Sequence, residues 1–262
     1  MALVDRPAED QALSGGQGQL TDASHPIAPD TQGSRMIDPR LAGRLAFAHR
    51  LPTKDPFSAG RHALGLFAER DAILSVPEGI DPRRPTPLVV LFHGGGGSAE
   101  KILPMLEAHA QARGFLLLAP QSMFPTWDLV IGGHGPDRER VDEALAEVSS
   151  RYLLDPTHLI FAGHSDGGSY TLSLGLANGH VVTHLLVSSA GFLSVHLQSG
   201  APQVFLSHGT RDEQIPIDRS ARVHVAQLRE AGYAVTAIEY DGPHAYNPAI
   251  IAQGVDFVLA KN

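Results

Sequence analysis

The sequence predicts an α/β protein built on a doubly wound, mostly parallel sheet with an antiparallel hairpin at one edge. Short runs that are apolar at every position alternate along the chain with helix-like segments. Strands that are apolar on both faces are expected when helices cover both sides of the sheet. The 262 residues are 43% hydrophobic and 18% charged, which is enough for one large domain with a sizeable core.

The chain divides into a tail and a domain. Residues 1–35 contain glycine, glutamine, proline and scattered acids without apolar periodicity, so we expect a disordered tail. Residues 36–262 are predicted to form a single domain. A helix-compatible patch at 41–49 precedes Pro52 and Pro56, which interrupt it.

Eight strands are predicted. Residues 63–67 and 71–76 are apolar runs separated by the polar pair Glu69-Arg70, a pattern typical of an antiparallel edge hairpin. The remaining runs are expected to be parallel strands and cover 88–92, 115–119, 159–162, 184–188, 203–207 and 235–239.

Helices are predicted between these strands. One covers 170–178 and stops at Gly179, and another is expected to be capped by Asp137. Asp218 is expected to open a third helix, which Gly232 ends. Asn247-Pro248 predicts a cap followed by proline in the first turn of the last helix.

Composition excludes several classes of function. A net charge of −8 does not steer the protein toward nucleic acid or an anionic membrane surface. The absence of cysteine excludes disulfides, thiolate metal sites and a cysteine nucleophile. No apolar run approaches the roughly 20 residues of a membrane span, and Met1-Ala-Leu lacks the basic start of a leader, so we expect a cytoplasmic protein. No cofactor or metal is predicted, and Gly133-His134-Gly135 is interpreted as a turn.

The segment Gly163-His-Ser165-Asp-Gly167 follows an apolar run and opens a helix. In this strand–turn–helix context Gly-x-Ser-x-Gly indicates a nucleophilic serine held on a strained turn at the top of a sheet. A chance turn rich in glycine and serine is the alternative, which the context disfavours.

A serine hydroxyl needs a base, and the base needs an orienting carboxylate. Ser165, Asp212 and His244 each follow a predicted strand, in the order Ser…Asp…His. Glu213 and Asp218 remain alternatives for the acid. His164 and His208, which neighbour the proposed residues in sequence, are expected to pack or to support them.

The glycine run 94–97 has two interpretations. Gly94-x-Gly96-x-x-Ala99 matches the spacing of a dinucleotide fingerprint, but the next strand ends in Ala119-Pro-Gln without the required acid. The other interpretation is an oxyanion loop, with the backbone N–H groups of Gly95 and Asp166 as donors.

Together these motifs resemble serine esterases of the α/β-hydrolase superfamily, in the bacterial phospholipase/carboxylesterase branch that includes acyl-protein thioesterases and polyhydroxyalkanoate-depolymerase-like enzymes. The resemblance covers about residues 61–260 and departs from the family at Asp166, where glutamine or methionine is frequent. It is carried by Leu91-Phe-His-Gly-Gly95, Thr126-Trp-Asp128, Gly163-His-Ser-Asp-Gly167, His208-Gly-Thr-Arg-Asp212 with Pro216, and Gly242-Pro-His244.

The resemblance implies an α/β-hydrolase fold and places Trp127 in the substrate pocket, where we also expect His93. Phe192 and Leu193 are expected to form another wall of this pocket. For Trp127, an anchor in the core is an equal alternative. The span 189–202 is too short for a helical cap, so we expect a shallow pocket and a small-molecule ester with a short acyl chain. Thioesters or lysophospholipids are alternative substrates, and a catalytically silent binding module is the non-enzymatic alternative. No motif indicates an oligomeric state.

Overall fold

The computed structural model describes residues 43–260, and a twisted sheet runs through them. The predicted tail, at residues 1–35, lies outside the described part. The strands are β1 (Gly60–Ala63), β2 (Ile73–Val76), β3 (Thr86–Phe92), β4 (Leu116–Ala119), β5 (Leu154–His164), β6 (His184–Ser188), β7 (Gln203–Gly209) and β8 (Val235–Tyr240).

The strand order places a crevice at the centre of the sheet. The order is β1-β2-β4-β3-β5-β6-β7-β8, and β2 runs antiparallel to both β1 and β4 while β3 to β8 are parallel. From β3 the chain moves to β4 on one side and then returns to β5 on the other. Ligands bind at such a switch point, beyond the carboxyl ends of the strands.

Helices cover both faces, as the all-apolar strands predict. In β3, Leu88, Val90 and Phe92 enter the larger apolar cluster, while Val89 and Leu91 enter the second cluster on the opposite face. The helices are α1 (Ala99–Ile102), α2 (Glu107–Arg113), α3 (Asp128–Ile131), α4 (Pro136–Arg151), α5 (Asp166–Ala177), α6 (Ala221–Glu230) and α7 (Pro248–Val258). α4, α5 and α6 pack on the larger cluster and α1, α2 and α7 on the second.

The predicted fold class is confirmed, and one strand prediction is wrong. The first hairpin strand is β1 rather than 63–67, because the Asp71 carboxylate accepts the N–H of Gly65 and of Leu66 and turns the chain there. In the patch at 41–49, residues 43–49 form no helix. They are extended, with the N–H of Ala46 and of Phe47 donating to the carboxylate of Asp142 at 2.9 Å.

Two predicted helix starts also differ. Asp137 is not a cap but lies inside α4, after Gly135 and Pro136. Asp218 lies in a short 3₁₀ turn (Ile217–Arg219), and α6 begins only at Ala221. Asn247 caps α7 as predicted, and its side chain accepts the N–H of Ala249. No helix within residues 43–260 is long and apolar enough to cross a bilayer.

Candidate active site

Ser165 lies on the sharp turn between β5 and α5. Its backbone has φ 59° and ψ −124°, a strained conformation for a residue with a side chain. A Cβ on Gly163 would overlap the carbonyl of Gly167, and one on Gly167 would overlap the carbonyl of Phe92 at the end of β3. The two motif glycines therefore let the backbone fold back closely enough to form this turn. The turn is held by the Ser165 N–H, which donates to the Ser188 carbonyl at 3.0 Å.

Three side chains from three loops form one hydrogen-bonded chain. His244 Nε2 lies 2.9 Å from Ser165 Oγ, and His244 Nδ1 lies 2.6 Å from Asp212 Oδ2. Because an ionised carboxylate only accepts, Nδ1 carries the proton and Nε2 is free to accept one from the serine hydroxyl. This arrangement can activate a serine as a nucleophile.

The structure brings Asp212, and neither of the two alternative acids, into contact with His244. Oδ1 of Asp212 accepts the N–H of Gln214 at 3.0 Å and of Ile215 at 2.8 Å. Burial raises the pKa of Asp212, but the Ile215 N–H and the His244 ring outweigh this effect and hold the pKa below its usual value. Glu213 is exposed, and Asp218 pairs with Arg222 at the surface.

A second imidazole contacts the same carboxylate. His208 is fully buried, and its Nε2 lies 2.8 Å from the Ile215 carbonyl and 3.1 Å from Asp212 Oδ2. Two acceptors at one nitrogen require that Nε2 carry the proton. Burial lowers the pKa of His208, which keeps the ring neutral. The sequence analysis predicts that His208 packs or supports the site, but it does not predict this contact with Asp212. The i, i+4 spacing of the two residues around a turn is the local sequence feature that indicates it.

His164 packs against the ring of His244. Its ring centroid lies 5.0 Å from that of His244, and its Nδ1 lies 3.1 Å from Ser188 Oγ. Burial and the neighbouring His244 lower the pKa of His164 to about 4. A neutral ring therefore covers His244 on this side at neutral pH.

The glycine loop after β3 lies beside Ser165. A Cβ on Gly94 would be 3.4 Å from the Ser165 Cβ. Within the loop, the N–H of Gly96 donates to the Pro125 carbonyl at 2.8 Å and that of Gly97 to Gly94 at 3.0 Å. No acceptor among residues 43–260 bonds the N–H of Gly95 or that of Asp166. These two donors are thus available to a ligand.

Two of the predicted pocket residues belong to the core instead. Trp127 has no exposed surface; its ring stacks on Tyr170 at 4.6 Å, and its Nε1 donates to the His93 carbonyl at 2.8 Å. His93 is 1% exposed, and its Nε2 accepts a hydrogen bond from Gln121 Nε2 at 2.9 Å. Neither side chain reaches the solvent from which a substrate enters, so the alternative of a core anchor holds for Trp127.

Phe192 keeps a partly exposed position, compatible with the predicted pocket wall. Its loop lies between β6 and β7, and residues 189–202 contain no helix. The loop is pinned to α5, because Ser169 Oγ accepts the N–H of Gly191 at 2.9 Å and of Phe192 at 3.3 Å. No helical cap therefore covers Ser165 from this loop.

A pair of carboxylates, the buried Asp137 and the half-buried Asp128, supports the loop between β4 and α3, and no sequence pattern indicates this pair. Asp137 Oδ2 accepts the N–H of Asp128 at 2.8 Å, and Asp128 Oδ2 accepts the N–H of Asp137 at 2.8 Å. Burial, and then the charge of Asp137, raise the pKa of Asp128 to about 6. The loop held by this pair carries Pro125, whose carbonyl binds the glycine loop. In the described part of the chain, no cluster of three or more His, Asp or Glu side chains is arranged to hold a metal.

Comparison with known proteins finds esterases. No protein-family model matches the chain. Feruloyl esterase C of Emericella nidulans is 26% identical over 157 residues, and the probable feruloyl esterase C of Aspergillus terreus is likewise 26% identical over 157 residues. Each alignment covers 57% of this chain and 57% of the relative, so the chain matches little more than half the length of these proteins.

Solved structures of esterases share the architecture. Esterase PE8 has a TM-score of 0.58 at 20% identity, over 71% of this chain and 97% of its own. Thermogutta terrifontis esterase 2 phosphorylated by paraoxon has a TM-score of 0.58 at 16% identity, over 82% of this chain and 95% of its own. These likenesses, with the strand order and the turn at Ser165, show that the chain has the α/β-hydrolase fold.

Proposed function

We propose that the protein is a serine carboxylic ester hydrolase that acts through an acyl-enzyme on Ser165. The observation that carries this proposal is the His244 ring, which bridges Ser165 Oγ at 2.9 Å and Asp212 Oδ2 at 2.6 Å. The named esterases among the similar proteins support it. A binding module without catalysis has no need for this arrangement, which disfavours the non-enzymatic alternative.

The geometry supports the following sequence of steps. Ser165 Oγ attacks the ester carbonyl carbon while its proton moves to His244 Nε2, and Asp212 stabilises the imidazolium. The N–H groups of Gly95 and Asp166 donate to the oxyanion of the tetrahedral intermediate. The C–O bond to the alcohol then breaks, and the alcohol leaves with the proton from His244. Water repeats the attack on the acyl-enzyme with His244 as base, which releases the acid and restores Ser165.

Short acyl esters are the substrates that we favour. The loop at 189–202 brings no helix over Ser165, so only the carbons nearest the carbonyl can be buried, for example against Phe192. Each buried CH₂ contributes roughly 0.8 kcal/mol, and carbons that stay in water contribute little. Thioesters and lysophospholipids remain alternatives that the same triad could cleave.

Feruloyl esters are a second candidate substrate class. Two fungal relatives are named feruloyl esterase C or its probable equivalent, at 26% identity over 157 residues. A planar aromatic acyl group is compact compared with a long alkyl chain, and an aromatic ring can pack on the partly exposed Phe192.

A fluorophosphonate probe tests the nucleophile. It should label Ser165, and Ser165→Ala should lose labelling and nearly all turnover while keeping the far-UV circular dichroism of the wild type. Ser58→Ala, at an exposed serine of the surface, is the matched control and should label normally. Labelling of another serine, or full activity of Ser165→Ala, would refute the proposal.

A substrate panel then ranks the candidates. On p-nitrophenyl esters kcat/KM should peak between acetate and hexanoate without interfacial activation, and methyl ferulate in the same panel tests the aromatic alternative. A steady rise through dodecanoate and palmitate would contradict the uncapped pocket and favour lysophospholipids.

A further inference from the structure

The side chain of Asp166 has no role in the steps above, which use only its N–H. It is the first residue of α5, directly after Ser165, and it is only partly buried. Its Oδ2 accepts a hydrogen bond from Thr126 Oγ1 at 2.6 Å. Thr126 lies on the loop before α3, so this bond turns the carboxylate toward that loop. The position of the charge is therefore set by a specific partner.

The tethered carboxylate lies over the glycine loop. A Cβ built on Gly95 would be 2.5 Å from Asp166 Oδ2 and 3.4 Å from its Cγ. Gly95 is exposed and has a free N–H, the proposed oxyanion donor. The absence of a side chain at Gly95 thus makes room for the carboxylate at the edge of the site where the ester carbonyl would bind.

The charge of Asp166 is not neutralised by a neighbouring cation. Within residues 43–260, no Lys, Arg or His nitrogen lies within the 4.0 Å of an ion pair with it. The guanidinium of Arg70 is bound elsewhere, to the carbonyls of Ser122 and Phe124. The negative charge of Asp166 is stabilised instead by two dipoles, the N-terminus of α5 and the Thr126 hydroxyl.

We propose that Asp166 is a specificity-determining residue that favours esters carrying a cationic group near the carbonyl and disfavours anionic ones. The proposal rests on the ester hydrolase function proposed above. A carboxylate beside the site attracts an ammonium group on the substrate and repels a carboxylate. Because Asp166 also supplies an oxyanion donor through its N–H, the test compares substrates of different charge within each variant and does not rely on absolute rates.

Three aryl acetates of similar shape separate the charge from the chemistry: 3-(trimethylammonio)phenyl acetate, 3-tert-butylphenyl acetate and 3-carboxyphenyl acetate. The three phenols differ in their reactivity as leaving groups. Dividing the kcat/KM of each variant by that of the wild type on the same substrate removes this difference. For charges about 7 Å apart at a partly exposed site, Asp166→Asn should lower the cation-to-neutral ratio of kcat/KM about 3- to 10-fold. The anion-to-neutral ratio should rise by a similar factor.

Glu213→Gln is the matched control. It removes one negative charge from an exposed residue that makes no contact in the triad, so both ratios should stay at the wild-type values. In the wild type, the preference for the cation should also fall as NaCl rises to about 0.5 M, because salt screens exposed charges. Asp166→Ser is a second neutral variant in case the asparagine protein does not fold.

The possible failures are distinguishable. Ratios unchanged within twofold in a folded, active neutral variant, together with no salt effect in the wild type, would overturn the role of Asp166 alone. Absence of hydrolysis that depends on Ser165 for all three acetates would overturn the ester hydrolase function and this inference with it.

Discussion

The substitution Asp212→Asn should disable the protein through the tautomer of His244. In the wild type, Asp212 Oδ1 accepts two backbone N–H groups, those of Gln214 at 3.0 Å and Ile215 at 2.8 Å. An asparagine keeps both bonds only if its amide oxygen occupies this place. The amide NH₂ then faces His244 Nδ1, which lies 2.6 Å from the wild-type Oδ2.

This orientation reverses the proton on the imidazole. An NH₂ group only donates, so Nδ1 must accept and the neutral ring carries its proton on Nε2. Nε2 is the atom 2.9 Å from Ser165 Oγ, and once protonated it cannot take the serine proton. A wrong tautomer in a serine triad costs about 10⁴-fold in kcat, and we expect a loss of roughly 10³- to 10⁴-fold here. KM should change far less, because the substrate contacts remain.

The assay is steady-state hydrolysis of p-nitrophenyl butyrate, with ¹⁵N chemical shifts of the histidine rings as a direct reading of the tautomer. Glu213→Gln is the control and should keep kcat within about twofold, since Glu213 is exposed and does not belong to the hydrogen-bonded chain of Ser165, His244 and Asp212. If Asp212→Asn keeps kcat within tenfold of the wild type, or if Glu213→Gln loses more activity, the assignment of the acid is wrong.

Two further predictions concern the buried His208 and the half-buried Asp128. His208→Phe should lower kcat about tenfold and shift the pH profile of kcat/KM, because Asp212 Oδ2 loses the hydrogen bond from His208 Nε2, which lies 3.1 Å away. His208→Gln should be more active than His208→Phe, because its amide can donate to Asp212. If His208→Phe changes only the thermal stability, His208 does not have this role. Asp128→Asn should raise Tm relative to the wild type by a margin that grows from pH 4 to pH 7. Burial raises the folded-state pKa of Asp128 to about 6, so between about pH 4 and pH 6 the folded state binds more protons than the unfolded state and its stability falls as pH rises. A margin that is constant or shrinks over this range would show that Asp128 does not titrate in this way.

Continuous apolar runs located the strands well, because burial on both faces leaves a pattern within a few adjacent residues. The prediction at 184–188 agrees with β6 (His184–Ser188), and Asn247-Pro248 located the start of α7. The first hairpin strand was displaced because its end depends on a side-chain contact, from Asp71 to the N–H of Gly65, that no apolar pattern records. The extended conformation of residues 43–49 is likewise set by side-chain contacts: it depends on hydrogen bonds to Asp142, almost a hundred residues away.

In the candidate site, too, local sequence patterns predict some features and contacts between distant segments decide the others. Its chemistry-bearing residues follow strands in a recognisable order, and the structure brings Ser165, Asp212 and His244 within hydrogen-bond distance. The sequence analysis places Trp127 and His93 in the pocket, but in the structure both side chains are buried in the core. Burial depends on neighbours from distant segments, such as Tyr170 against Trp127, and not on the type of the residue itself.

The sequence by itself determined the fold class, the turn at Ser165 and the order of the three polar residues, because each rests on local chemistry: apolar strands, small residues at a tight turn, and side chains placed directly after strands. Only the tertiary structure decided which acid meets His244, that His208 contacts this acid, and that the Asp166 carboxylate lies over Gly95. These contacts join loops that parallel strands bring to one edge of the sheet. Whether the side chains meet depends on strand register and loop packing, which no short stretch of sequence encodes.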